Sequence, residues 1–268
     1  MTSLQTAPWA AHRAADRLAD AMRSGVPVSP VRDLIGRDDV ALAYAVQQLG
    51  TARRLASGAR LVGRKIGLTS PAVQKQLDVD QPDFGVLFAD MDVTTTPVAD
   101  RPVLLQPKVE AEIAFILASD LDSDRLDATT VRAAVHHAVA ALEIVDSRIE
   151  NWDISFGDTV ADNASSGWFV LGARTWSLDD IDPVDVTMQM SIDGALASTG
   201  AGEACMGDPL NALAWLARTA RTFGEPLRAG EIVLSGALGP MAPLYPGSHV
   251  HADLGIAGTV EFTWKETE

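Results

Sequence analysis

The 268-residue sequence predicts an α+β fold, in which an N-terminal helical region leads into a mixed, strand-rich β-roll or barrel. Three observations predict it. Apolar residues recur at helical spacing through the first 55 positions, and glycine, proline and β-branched residues become frequent after Gly58. The last 40 residues scatter Gly230, Gly236, Gly239, Gly247, Gly255 and Gly258 among short β-type runs. The expected division is a helical region over 1–58 and a catalytic β-rich domain over 59–268.

Taken in order, residues 9–23 carry Leu18, Ala21 and Met22 on one helical face, and residues 38–55 carry Leu42, Ala45, Val46 and Leu49. Asp38 or Asp39 suits the N-cap of the second helix, and Gly58 ends it. Residues 59–63 and 86–88 read as strands. Residues 108–117 alternate, with Val109, Ala111, Ile113, Phe115 and Leu117 sharing one face. The pattern turns helical over residues 127–142 (Val131, Ala134, Val135, Ala138, Val139, Leu142) and extended over 143–146. Asp193-Gly194 joins two strand runs as a hairpin, and a last helix covers residues 209–222.

Composition narrows the function. A net charge of −15 disfavours a grip on nucleic-acid phosphates or on an anionic membrane surface. The single cysteine, Cys205, excludes an intrachain disulfide and a cysteine-based zinc site, and fits a reducing, cytoplasmic setting. The start, Met1 to Trp9, lacks the basic and apolar segments of a signal peptide, and no uninterrupted apolar run is long enough to span a bilayer. The dinucleotide, P-loop, serine-hydrolase and zincin motifs are all missing.

Glu110 and Glu112 are the most informative pair. Period-2 alternation puts both carboxylates on one strand face, about 6–7 Å apart. Buried, such a pair must shed charge or share a cation; exposed, it is an ordinary solvated edge strand. Ala114 and Ile116 continue the same face apolar, which favours cover and a divalent metal. A third ligand comes from Glu143 or Asp146, between which spacing does not choose. Oxygen ligands alone select Mg²⁺ or Mn²⁺. Lys65, between Gly63 and Gly67, reads equally as a surface lysine, and Asp83 equally as a turn aspartate. His136 and His137 fall in the expected helix, about 100° apart, and make a poor joint site. His249 and His251 share a strand face without further ligands. The loop Ser235-Gly236-Ala237-Leu238-Gly239-Pro240 either turns tightly or offers N–H groups to an anion.

Six ordered motifs resemble one family, from about Pro30 to Trp264: VGRKIGLT (62–69), VDQPDFGVL (79–87), QPKVEAEIA (106–114), ALEIVDSRI (141–149), DTVADNAS (158–165) and SGALGPM (235–241). The chain resembles the 2-keto-4-pentenoate hydratases of the fumarylacetoacetate hydrolase superfamily. That resemblance implies a strand-rich β-roll, a homo-oligomer, and a divalent ion held by Glu110, Glu112 and Glu143, with Lys65 and Asp83 beside the substrate. It implies addition of water to 2-hydroxypenta-2,4-dienoate, giving 4-hydroxy-2-oxopentanoate in the meta-cleavage breakdown of aromatic compounds. A complex with a pathway decarboxylase or aldolase is a further implied partner. The competing reading is 4-oxalocrotonate decarboxylase, a sister family, which needs a cation for a second carboxylate; Arg148, Arg64 and Lys75 are the candidates. A non-catalytic partner subunit is the third reading, disfavoured by retention of all five site residues.

Overall fold

The computed structural model describes residues 8–70, 74–75, 79, 81–95 and 103–265. Residues 1–7, where the chain start was read for a leader, lie outside the described residues, as does Asp80 of the second motif. Helix α1 (Trp9–Ser24) buries Ala11, Ala14, Leu18 and Ala21, and stops at Gly25, whose positive φ of 71° lets its N–H reach the Ala21 carbonyl. After the short α2 (Arg32–Ile35), α3 (Val40–Ala56) begins at Asp39, whose carboxylate accepts the Leu42 N–H at 3.0 Å.

The rest of the chain alternates strands with short helices: β1 (Leu61–Gly67), β2 (Asp83–Phe88), β3 (Lys108–Leu117), α4 (Ala128–Ala134), β4 (Val135–Val145), α5 (Phe156–Ala161), β5 (Ser166–Trp176), β6 (Thr187–Ile192), β7 (Ala195–Ala201), α6 (Pro209–Thr222), β8 (Ile232–Leu234), β9 (Ala242–Pro243), β10 (His249–Asp253) and β11 (Thr259–Thr263). Two sheets form. A mixed sheet runs β2-β1-β8-β3-β4-β5, with β9 also on β3, and a smaller antiparallel sheet runs β11-β10-β6-β7. The expected roll is therefore two open sheets. The β6–β7 hairpin turns at Asp193 and Gly194, both at positive φ, as the sequence signal requires.

The helix expected over residues 127–142 is corrected: it ends at Ala134, and Val135–Val145 is a strand paired with β3 on one side and β5 on the other. A continuous apolar run such as Ala-Val-Ala-Ala-Leu satisfies helical spacing and a strand buried on both faces equally well, and here the sheet wins. His136 and His137 consequently sit at the start of β4, with their Nδ1 atoms 2.7 Å apart. The solvated-edge reading of β3 is also overturned, because β3 lies inside the sheet between β4 and β8. Its face of Val109, Ala111, Ile113, Phe115 and Leu117 enters the main core. Ala114, on the opposite face with Glu110 and Glu112, packs in a second cluster with Val86, Phe88 and Phe169.

The helical lead braces the strands that carry the site. Tyr44 of α3 stacks on Phe84 of β2 at 4.7 Å, and the Gln47 amide donates to the carbonyls of Phe84 (2.8 Å) and Val160 (3.0 Å). Arg32 reaches Asp158 of α5 with its backbone N–H and its guanidinium.

Close approach at β1 fixes where that strand lies. A Cβ on Gly63 would stand 1.9 Å from the Ile232 carbonyl oxygen of β8. Gly63→Ala is expected to destabilise the protein by about 1–3 kcal/mol or more, as overpacking against backbone does, read as a lower urea midpoint; an unchanged midpoint would mean that β1 and β8 can separate freely.

Candidate metal and substrate site

Antiparallel register brings the acidic residues together. Glu110 on β3 stands directly opposite Glu143 on β4, and Glu112 opposite Ala141. The three carboxylates each offer an oxygen within 4.8 Å of the others, and they are buried, Glu112 fully and Glu143 at 1% exposure. Like charges directly across a strand pair repel, and burial adds the cost of desolvating them. Burial, reinforced by Glu143, lifts the Glu110 carboxyl to about 7, and Glu112 goes well above the ordinary range for the same reasons plus the charge of Glu110. Glu143 is also raised by burial, with Lys65 opposing.

Two groups answer this charge. The Gly236 N–H donates to Glu112 Oε2 at 2.8 Å. So the glycine-rich loop does meet an anion, the chain's own glutamate. It can do so because β8 stops at Leu234 and the chain turns at Gly236, φ 106°. Lys65 Nζ lies 3.2 Å from Glu143 Oε1, an ion pair without hydrogen-bond alignment. Burial works against the Lys65 ammonium, but Glu143, Asp83, Glu110 and Glu112 outweigh it and hold its pKa above the usual lysine value. Glu112 Oε1 and Glu143 Oε2 stay unsatisfied, and Glu143 Oε1 has the Lys65 ammonium alone. Unsatisfied, buried, oxygen-only donors this close together fit a hard divalent cation.

Asp83 opens β2 at 1% exposure, so the turn reading is corrected: it pairs with Gly67 in register and points inward. Thr159 of α5 donates to its Oδ2 at 3.0 Å, while Oδ1 has no partner. Burial raises the Asp83 carboxyl, against the opposing pull of Lys65 and Thr159. Gly67 makes room for it, since a Cβ there would meet Asp83 Oδ1 at 2.2 Å. Sequence reasoning assigned no role to Thr159 or Gly67, and offered the Gly236 loop as a tight turn or an anion contact without naming Glu112 as the anion. Thr159 lay within a quoted motif, but nothing in the sequence shows that it faces Asp83.

These groups meet in a small open cleft with Lys65, Thr69, Ser70, Asp83, Glu110, Thr159 and Ser165 as its polar lining. Glu112 and Glu143 are not among the lining residues and reach the cleft only through their proximity to Glu110. The remaining wall is largely apolar: Leu68, Val145, Trp152, Ile154, Ala164 and Met241. Asp146 is not part of the cluster; its carboxylate accepts the N–H groups of Leu105 and Gln106. Arg148 is buried and committed to Asp162 at 2.5 Å and to the Ser166 carbonyl. Arg64 faces Glu225 and Glu231 at 3.6 and 3.7 Å, and Lys75 is exposed. None of these three cations lines the cleft. His249 and His251 pair with Thr263 and Glu261 on the small sheet. Burial pushes the Cys205 thiol up to about 12, so it stays protonated.

Comparison with known proteins agrees with this geometry. The model of the family described as fumarylacetoacetate (FAA) hydrolase C-terminal matches residues 63–264. A TodF product hydratase from Pseudomonas putida is 55% identical over 259 residues, 96% of this chain and 96% of that protein. A 2-keto-4-pentenoate hydratase from Paraburkholderia xenovorans is 50% identical over 261 residues, 97% of each chain. Among solved structures, 4-oxalocrotonate decarboxylase from Pseudomonas putida G7, complexed with magnesium and adipate, superposes with a TM-score of 0.87 at 30% identity, covering 94% of this chain and 95% of that one. With identity sustained along almost the whole chain, this protein belongs to the 2-keto-4-pentenoate hydratase family of the fumarylacetoacetate hydrolase superfamily.

Proposed function

We propose that the protein is a divalent-metal-dependent hydratase that adds water to 2-hydroxypenta-2,4-dienoate, giving 4-hydroxy-2-oxopentanoate in the meta-cleavage degradation of aromatic compounds. The observation that carries this reading is the cleft's lining: Lys65, Asp83 and Glu110, the last a member of a buried acidic triad, together with the apolar Leu68, Val145, Trp152, Ile154 and Met241. Glu110, Glu112 and Glu143 would hold Mg²⁺ or Mn²⁺, and the ion would supply Lewis acidity toward the substrate's carboxylate and 2-oxygen, stabilising enolate charge. Lys65, kept protonated by its four acidic neighbours, balances the triad and offers a cation to the anionic end of the substrate. Asp83, anchored at Oδ2 by Thr159 and free at Oδ1, is the group that holds and passes a proton, its pKa raised by burial. Leu68, Trp152, Ile154 and Met241 exclude water from the uncharged end.

Hydration is favoured over decarboxylation of 4-oxalocrotonate by the lining. A second carboxylate requires a cation at the far end, and among the described residues Lys65 is the one cation lining the cleft. Lys108, which is not among the lining residues, stacks its ammonium on the Trp152 ring at 4.2 Å. We further propose that residues 59–268 carry the chemistry while the helices of residues 1–58 moor β2 and α5. The enzyme would work in the cytoplasm as a homo-oligomer, with a pathway decarboxylase or aldolase as a candidate partner.

The direct test follows dienol absorbance and CO₂ release with metal-stripped protein before and after restoring Mg²⁺ or Mn²⁺. Metal-dependent conversion of the dienoate to 4-hydroxy-2-oxopentanoate without CO₂ from 4-oxalocrotonate is expected; CO₂ release would make it the decarboxylase, and silence in both assays a non-catalytic subunit. Mn²⁺ is expected to raise the thermal midpoint of the wild type, and Glu112→Gln to weaken that binding by at least the roughly 10- to 100-fold that outer-shell losses cost. Because burial and Glu143 push the Glu110 carboxyl up to about 7, a metal must displace its proton at lower pH, and the midpoint rise is expected to be smaller at pH 6 than at pH 8. Asp83→Asn should lower kcat by about 10²- to 10⁴-fold, the range for a general acid or base, with the Mn²⁺-induced rise retained. Loss of both together would assign Asp83 to metal binding instead.

A further inference from the structure

The motif over residues 158–165 supplies more than Thr159. Six of the eight non-glycine residues with positive φ among the described residues line or adjoin the cleft: Leu68, Asn151, Trp152, Asn163, Ala164 and Ser165. Three are consecutive, with φ of 56°, 51° and 53° at residues 163–165, a conformation that persists only where surrounding contacts over-determine it. Here they do. The Asn163 side chain clamps both backbone groups of Val86, at 2.8 and 2.9 Å, the Ser165 N–H donates to the Asp162 carbonyl at 3.0 Å, and the Ser165 carbonyl accepts the Asp146 N–H at 2.7 Å.

Every polar group named in that turn is satisfied except one. Ser166 next door uses its hydroxyl to bond the Asn163 carbonyl at 2.7 Å. The Ser165 hydroxyl, at 3% residue exposure, has no partner and lines the cleft. A buried hydroxyl left unpaired in a strained turn is costly, and a ligand that completes it is the physical reason to keep it. Among the described residues that line the cleft, the other buried side-chain atom without a hydrogen-bond partner is Asp83 Oδ1. The two residues come from adjoining segments, since Thr159 bonds Asp83 and Asn163 bonds the strand that Asp83 begins.

We infer that the Ser165 hydroxyl, together with Asp83 Oδ1, holds the oxygen that adds to C4, first as water and then as the product hydroxyl. This rests on the hydratase reading above. In the first half of the reaction the C2 hydroxyl loses a proton and C5 gains one, giving the conjugated 2-oxopent-3-enoate. In the second, the water oxygen bonds to C4 and its proton passes to Asp83 Oδ1. The C3–C4 π pair shifts toward the carbonyl, and C3 is then protonated, so that the net change is one water added. Ser165 acts only in the second half.

The test is product partition in D₂O followed by proton NMR, using the full-length, metal-loaded enzyme. Ser165→Ala removes the hydroxyl. Ser165→Gly does the same while adopting the left-handed φ without strain, and so protects against a folding defect. Both are expected to keep dienol consumption, deuterium entry at C5 and the Mn²⁺-induced thermal rise, while 4-hydroxy-2-oxopentanoate formation falls about tenfold and 2-oxopent-3-enoate accumulates. Wild-type partition in both variants would overturn the inference. So would an equal fall in both half-reactions with loss of the thermal rise, which would make Ser165 structural. A wild type that consumes no dienoate would instead sink the hydratase reading, and the inference with it.

Discussion

Three buried carboxylates on neighbouring strands, two of them directly opposed, form the constraint to which the rest of the site conforms. Register alone puts Glu110 across from Glu143, and a sheet interior offers no water to screen them. Each nearby irregularity relieves that charge. β8 is cut short so that the Gly236 N–H can turn onto Glu112, and a lysine whose charge burial disfavours is held charged by its acidic neighbours. Gly67 has no side chain because Asp83 needs its space. A divalent cation completes the compensation that protons would otherwise provide.

Rigidity around this charge comes from parts of the chain that touch no substrate. α3 holds β2 through Tyr44 and Gln47, and Arg32 holds α5 through Asp158. Arg148, buried against Asp162, secures the turn from which Ser165 projects. Left-handed residues at about 1–3 kcal/mol each are sustained by such fixed surroundings. Their concentration at the cleft sets it apart from the small sheet, where the remaining hairpin follows ordinary turn chemistry.

Much of this was legible in the sequence. Helices α1, α3 and α6, strand β3 and the β6–β7 hairpin follow from periodicity and turn residues, because each has one buried face or a strong local signal. β4 was misread because its apolar residues occupy both faces, which erases the period that separates strand from helix. Glu110 and Glu112 were readable as a pair from spacing, but Glu143 over Asp146 followed from the family resemblance and not from spacing, because what sets it opposite Glu110 is strand register, a long-range property. The contacts of Asp83 with Thr159, and of Glu112 with Gly236, join residues 76 and 124 positions apart. No local pattern encodes such distances.

The cleft's two halves differ in how freely they can change. On the acidic side every position is locked: a methyl at Gly67, a shift of Gly236 or the loss of Lys65 disturbs charges that have no alternative partner. On the apolar side, Val145, Ile154 and Met241 come from three separate segments and contribute volume rather than charge. Substitution there alters shape without unbalancing electrostatics. The room in the cleft and its charge can thus be altered independently, the one at Val145, Ile154 and Met241, the other at the buried carboxylates.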